Sequence, residues 1–321
     1  MKKVVLLATG GTIASKPNKE GRLVAGELTG NELAKICGIP NDIEVEVISI
    51  LQKPSMHITI ADLLDIKVKI DEIFKNSKID GIVITHGTDS LEETAYFLDL
   101  VIADERPIVI TGSQRAPDEI GSDSYINLRH AIYTACDHQL KGVGTVVVFN
   151  ERIFAAKYVK KEHASNIQGF NAFGFGYLGI IDNDKVYLYQ KPANREFYKI
   201  ESPREIPNVD IIMSYLNADD KFLRASIESK TCGIILEGTG RGQVSPLMME
   251  AIGEALSKGI YILITTASEE GYVYPTYEYL GSAYDLVKAG VILGGDLDSK
   301  KARIKLIVLL LANEQVKEKF E

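Results

Sequence analysis

The sequence predicts a two-domain α/β protein, with a larger N-terminal domain on a doubly wound, mostly parallel sheet with a hairpin, and a smaller C-terminal domain on a parallel sheet. Three observations predict this. Short runs rich in β-branched residues alternate with longer helical patterns. The runs are nearly continuously apolar, as expected of strands buried on both faces. The alternation breaks once, mid-chain, and then returns in smaller form. A length of 321 residues fits two domains at about 150 residues each.

Taken in order, strands fit 4–8, 44–50, 81–85, 107–111 and 143–149, with helical periodicity over 60–74, 90–103 and 122–138 between them. Right-handed crossovers then place helices on both faces. From about 150 to 208 the rhythm fails: Gly169, Gly174, Gly176 and Gly179 fall among aromatics, and alternation over 185–190 marks a short antiparallel hairpin. The polar, proline-punctuated stretch 191–208 reads as a linker between domains at 1–190 and 209–321. Beyond it, strands fit 210–215, 232–237 and 260–265, and helices fit 246–257 and 299–312. Ser245 caps the first of these helices with Pro246 in its first turn, and Asp298 caps the second.

Composition narrows the class. With 45% hydrophobic and 25% charged residues, disorder, collagen and coiled coil are excluded. Lys plus Arg is 36 against 44 Asp plus Glu, a net charge of −8 without a basic run, so neither nucleic acid nor an anionic membrane is an expected partner. Cys37, Cys136 and Cys232 share no close spacing, which fits a reducing compartment, and they read as small buried apolar groups. The apolar run 4–8 is shorter than the roughly seven residues a signal peptide needs. The longest apolar run elsewhere, 304–312, is half a membrane span. A cytoplasmic protein is expected.

Ligands of open parallel sheets bind beyond the carboxyl ends of the strands. Two hydroxyl-bearing turns fall there: TGGTIAS at 9–15, which projects Thr12, and THGTDS at 85–90, which runs into a helix. Free backbone N–H groups and the helix dipole at that second turn favour negative charge. A threonine, a carboxylate and a helix N-terminus suit a small zwitterion and a developing oxyanion. From spacing alone, an ordinary turn with Asp89 or Ser90 as cap reads equally well. TGGT is neither a Walker loop nor GxGxxG, and GTGRG at 238–242 misses the dinucleotide spacing.

The segments TGGTIAS and VITHGTDSLEETAYFLDL (83–100) resemble the signature segments of the bacterial-type L-asparaginase family. TGSQRAP (111–117), SDSYINLRHAI (122–132), YVKK (158–161), NIQGFNAFGFGYLG (166–179), GTGRGQ (238–243) and LDSKKAR (297–303) continue the resemblance in order along the chain. It implies two α/β domains, usually in a homotetramer, and hydrolysis of a side-chain amide through a covalent acyl-enzyme without metal or cofactor. The family's nucleophile falls on Thr12, its second threonine and aspartate on Thr88 and Asp89, and its lysine on Lys161. A threonine hydroxyl attacks only after a neighbour takes its proton. A partly desolvated lysine suits that task. Asp89 would pair with the substrate's α-ammonium. Gly87, Thr88, Asp89 and Ser113, with Lys53 or Ser55, would line the substrate site.

Three positions depart from the family pattern. Leu23 stands near the place of the family's loop tyrosine, in a lid at 15–28 with Gly21, Gly26 and Gly30 as hinges. The family's carboxylate-binding serine falls on Lys53 without gaps, or on Ser55 with a two-residue shift. Ala283 replaces a glutamate given by the neighbouring subunit, with Glu278 and Asp285 nearby. With Lys53 and Arg241, the site gains positive character, so a modified or larger asparagine or glutamine derivative is the alternative substrate. A non-catalytic amino-acid sensor is a second alternative. An amidotransferase subunit, which carries a domain before its TGGT motif, and a dehydrogenase, which needs the dinucleotide fingerprint, both fit worse.

The remaining residues read as structural. His86 bonds locally, and His57, His130, His138 and His163 share no metal-ligand spacing. Phe170, Phe173, Phe175 and Tyr177 read as core or subunit interface. Tyr272, Tyr274, Tyr277 and Tyr279 would cover a neighbouring subunit's site, by their family position.

Overall fold

The computed structural model describes residues 1–10, 15–17, 23–25, 32, 35–201 and 205–320, with 15–17 and 23–25 described as strands only. The chain forms two compact units, Met1–Phe197 and Tyr198–Glu321.

In the first unit, β1 (Lys2–Ala8), β4 (Ile43–Ser49), β5 (Gly81–Thr85), β6 (Ile108–Thr111) and β7 (Thr145–Phe149) run parallel in the order β4-β1-β5-β6-β7. A short hairpin, β2 (Ser15–Pro17) with β3 (Leu23–Ala25), follows β1 in the chain. Five consecutive buried positions in each of β5 and β7 explain why the sequence there is apolar without alternation. The crossover helices are α1 (Ile60–Phe74), α2 (Leu91–Val101) and α3 (Ser124–Cys136). Helix α1 starts at a capping box: Thr59 accepts from the Asp62 backbone, and the Asp62 side chain accepts from Thr59. Its buried stripe is Leu63, Ile66, Ile70 and Phe74.

The mid-chain break has a structural cause. Strands β8 (Arg152–Ala155), β11 (Gly179–Asp182) and β12 (Lys185–Leu188) join the sheet antiparallel beyond β7 and extend it to eight strands. Tight turns at Asn150-Glu151 and Asn183-Asp184, each with two positive φ angles, reverse the chain between them. Between β8 and β11 the chain forms a separate two-residue pair, β9 (Lys160–Lys161) with β10 (Phe170–Asn171).

The second unit has the parallel sheet expected: β13 (Val209–Met213), β14 (Gly233–Gly238), β15 (Tyr261–Thr266) and β16 (Ile292–Leu293), in that order. Its helices are α4 (Lys221–Glu228), α5 (Met249–Ser257), α6 (Ala283–Ala289), α7 (Ser299–Leu311) and α8 (Val316–Phe320). Asp298 caps α7 by accepting from the Lys301 N–H at 2.8 Å. Ser245 does not act as expected: its side chain makes no capping bond, and residues 246–248 form a 3₁₀ turn before α5. Of the cysteines, Cys37 is buried and Cys136 half-buried. Cys232 is exposed, because it lies just outside β14, and this corrects its reading as a buried group. No helix among the described residues is long and apolar enough to cross a membrane.

Candidate functional site

The order β4-β1-β5-β6-β7 reverses between β1 and β5: the chain leaving β1 goes on to β4 at one side, and the chain leaving β5 goes on to β6 at the other. In such sheets the crevice forms at the carboxyl ends of the two strands at that switch. Ala8 and Thr85 end these strands in register, so both hydroxyl-bearing turns emerge side by side. Thr9 is buried, and its hydroxyl donates to the Thr85 carbonyl at 2.9 Å, which makes it part of the frame. At Gly10 the φ is +127°, and a Cβ would lie 2.3 Å from the Lys53 carbonyl oxygen. Thr12 lies outside the described residues, as do Gly21, Gly26, Gly30 and the side chain of Leu23.

At the second turn the described side chains converge. The Lys161 ammonium lies 2.8 Å from Thr88 Oγ1 and 2.6 Å from Asp89 Oδ1, although the lysine is 73 residues further along the chain. Its side chain is only 15% exposed, whereas that of Asp89 is 62% exposed. Thr88 Oγ1 also donates to Gln114 Oε1 at 3.4 Å, and Gln114 Nε2 donates to the His163 carbonyl at 3.2 Å. A hydroxyl held between an amide oxygen and a lysine, itself on a carboxylate, can pass a proton in either direction.

His86 is structural, as its position before Gly87 indicated. It is fully enclosed: Nδ1 lies 2.7 Å from the Gly87 carbonyl and Nε2 3.0 Å from Thr94 Oγ1. Facing a carbonyl, Nδ1 must donate, so Nε2 accepts from Thr94. Burial pushes its pKa down to about 4, and the ring is neutral at pH 7.

The residues assigned to substrate binding divide. Lys53 Nζ is bonded to both oxygens of Asp62, at 2.7 and 2.8 Å. Burial raises the Asp62 carboxyl, but bonds from Lys53 and from the Thr59 backbone and hydroxyl outweigh it and hold the group below its ordinary value. Ser55 is buried against the second turn: a Cβ on Gly87 would meet its Cβ and Oγ at 2.9 Å, and its carbonyl accepts from Ser90 Oγ at 2.8 Å. Ser90 occupies the N-cap position of α2 without a side-chain capping bond. Ser113 is half-buried in the turn after β6. Buried Asp123 fixes that turn by accepting from the backbone N–H groups of Gln114 and Arg115 at 3.0–3.1 Å.

Sequence reasoning missed Asp62, Gln114, Asp123 and Glu92. Asp62 was signalled by the T-x-x-D spacing from Thr59, and Glu92, Gln114 and Asp123 lie inside segments that carry the family resemblance, where nothing singled out their roles. Among the described residues no three His, Cys, Asp or Glu cluster as a metal site would require.

In the second unit, Ala283 is buried at the start of α6, its N–H donating to Gln243 Oε1 at 2.9 Å. Asp285 accepts from the Gly281 N–H at 3.1 Å, within the same helix start. Glu278 and the four tyrosines at 272, 274, 277 and 279 are exposed. In the first unit Phe170 is core, against Phe149 with ring centroids 4.8 Å apart, while Phe175 and Tyr177 are exposed. A groove of about 490 Å³ beside β13, lined by Asp210, Met213, Phe222 and Ser229 among others, contains none of the residues assigned above.

Comparison with known proteins follows the same two units. The family description "Asparaginase, N-terminal" matches residues 3–194, and "Glutaminase/Asparaginase C-terminal domain" matches 208–320. The chain is 60% identical over 320 residues to an L-asparaginase of Bacillus licheniformis, covering 99% of each sequence. It is 32% identical over 329 residues to a glutaminase-asparaginase of Pseudomonas fluorescens biotype A, covering 98% of this chain and 88% of the other. Among solved structures, that of a probable cytoplasmic L-asparaginase from Campylobacter jejuni matches with a TM-score of 0.87 and 29% identity, covering 99% of this chain and 98% of that one.

Proposed function

The chain belongs to the bacterial-type L-asparaginase family, and we propose that it hydrolyses L-asparagine to L-aspartate and ammonia through an acyl-enzyme on Thr12. The observation that carries this reading is the hydroxyl–ammonium–carboxylate series Thr88–Lys161–Asp89 at the sheet's switch point. Thr12 Oγ attacks the carboxamide carbon, and its proton passes by way of the Thr88 hydroxyl to Lys161. The tetrahedral oxyanion is met by backbone N–H groups at the start of α2, donors worth about 3–4 kcal/mol each in other hydrolases. The proton returns to the leaving nitrogen, ammonia departs, and water cleaves the ester to regenerate the Thr12 hydroxyl.

The substrate's α-ammonium pairs with Asp89. Its α-carboxylate meets Ser55 rather than Lys53, because the Lys53 ammonium is bound by Asp62. Gly87 and Ser113 complete the walls. The working form is a homo-oligomer in the cytoplasm, without metal or cofactor.

Ammonia release on adding L-asparagine, abolished in Thr12→Ala, tests the reaction. A ranking of kcat/KM with free L-asparagine far below an N- or α-substituted analogue would transfer the assignment to the modified substrate. Tight binding without ammonia release from any amide would make the protein a sensor.

A further inference from the structure

We propose that Glu92 is a positioning residue for this reaction: its buried carboxylate fixes the Lys161 backbone and thereby sets the reach of Lys161 Nζ to Thr88. The inference rests on the reading of Lys161 as proton acceptor. Lys161 sits on β9, a two-residue strand paired with β10 and separate from the eight-stranded sheet, with the Glu162 N–H donating to the Gly169 carbonyl at 2.8 Å just beyond it. So short a ladder fixes a lysine poorly, and the side chain adds four rotatable carbons. A second anchor comes from α2. Glu92 Oε2 accepts from the Lys161 backbone N–H at 2.5 Å, across 69 residues of sequence.

Glu92 is fully buried in the first turn of α2, three residues after Asp89. A buried carboxylate is costly unless it is bonded, and it is best tolerated at a helix N-terminus. Hydrogen bonds to a charged acceptor are about twice as strong as neutral ones. One helix start thus presents two carboxylates to one residue, Asp89 to the ammonium and Glu92 to the main chain. Its bond to Lys161 goes to the main chain and not to the ammonium.

The test compares Glu92→Asp and Glu92→Gln with the wild type for kcat, KM, melting temperature and Lys161 amide exchange. Glu92→Asp withdraws the acceptor by about one C–C bond, roughly 1.5 Å. A misplacement of that size is expected to lower kcat about 10²-fold with KM within about threefold, and to speed exchange at the Lys161 amide. Glu92→Gln keeps an oxygen acceptor and is expected to retain kcat within about fivefold. Wild-type kcat in Glu92→Asp, a change in KM alone, or an unchanged Lys161 exchange rate overturns the proposal. If Glu92→Asp does not fold, Lys161 amide exchange in Glu92→Gln decides: exchange faster than in the wild type supports the role, because the neutral acceptor holds the N–H less tightly, and an unchanged rate overturns it. Absence of ammonia release by the wild type refutes the asparaginase reading instead, and the exchange measurement still judges the clamp.

Discussion

Replacing Lys161 by methionine removes the ammonium and keeps an unbranched chain of similar length. Two bonds are lost, at 2.8 Å to Thr88 and 2.6 Å to Asp89. The Asp89 side chain is 62% exposed, so the ion pair behaves as a surface pair and contributes at most about 1 kcal/mol to stability. A loss of that size moves the melting temperature by no more than a few degrees. The reaction, by contrast, loses its proton acceptor. General base catalysis contributes about 10²–10⁴-fold, or roughly 3–5 kcal/mol of barrier. The signature is therefore a large fall in kcat with an almost unchanged melt. Ammonia release measured over a range of L-asparagine concentrations gives kcat and KM separately, and a thermal scan of the same preparation gives stability. A Lys161→Met enzyme with kcat within tenfold of wild type would refute the reasoning, since Thr88 would then be exchanging its proton without the lysine.

His86 makes stability depend on pH. Its ring is held neutral down to about 4, against about 6.5 in the unfolded chain, so the unfolded state alone takes up the proton between those values. Stability falls as pH drops from 6.5 toward 4, by about 3 kcal/mol for this group; urea titrations of wild type and His86→Gln should diverge accordingly, and parallel pH curves contradict it. Lys53→Met should leave kcat/KM for L-asparagine within about threefold, because the ammonium is bound to Asp62; a KM raised tens of times would assign the carboxylate to Lys53. Gly10→Ala combines a φ of +127° with a Cβ 2.3 Å from the Lys53 carbonyl oxygen, and should lose about 2 kcal/mol or more in urea unfolding. An unshifted urea midpoint would show that this approach is not tight.

The parallel strands were legible because burial on both faces leaves a continuous apolar run, as in the five buried residues of β5. The strand β8 was not, since the turn before it, Asn150-Glu151, reaches two positive φ angles without a glycine to mark it. Helices α4 and α6 are too short for periodicity to declare itself. At the site, the side chains of Thr88, Asp89 and Lys161 meet, and their types and motif positions named them in advance. Glu92 and Gln114 lie in the same motif segments, but no role was attached to them there. Their contacts span 69 and 26 residues, so only the folded chain brings them to Lys161 and Thr88. Lys53 shows the limit of reading a side chain by its charge, because its partner Asp62 lies nine residues away, inside the cap of α1.

Residues 53–55 fill the space that Cβ atoms on Gly10 and Gly87 would need, and Ser55 receives the Ser90 hydroxyl. Three stretches far apart in sequence therefore share one steric allotment, and substitutions in them are expected to be epistatic. A bulkier residue at 55 becomes acceptable only if the backbone around Gly87 yields, and no side chain fits at position 10 while Lys53 keeps its place. Attempts to broaden the substrate range by randomising 51–57 alone would mostly recover misfolded chains. Libraries that vary this segment together with the two glycine turns are the ones with room to move.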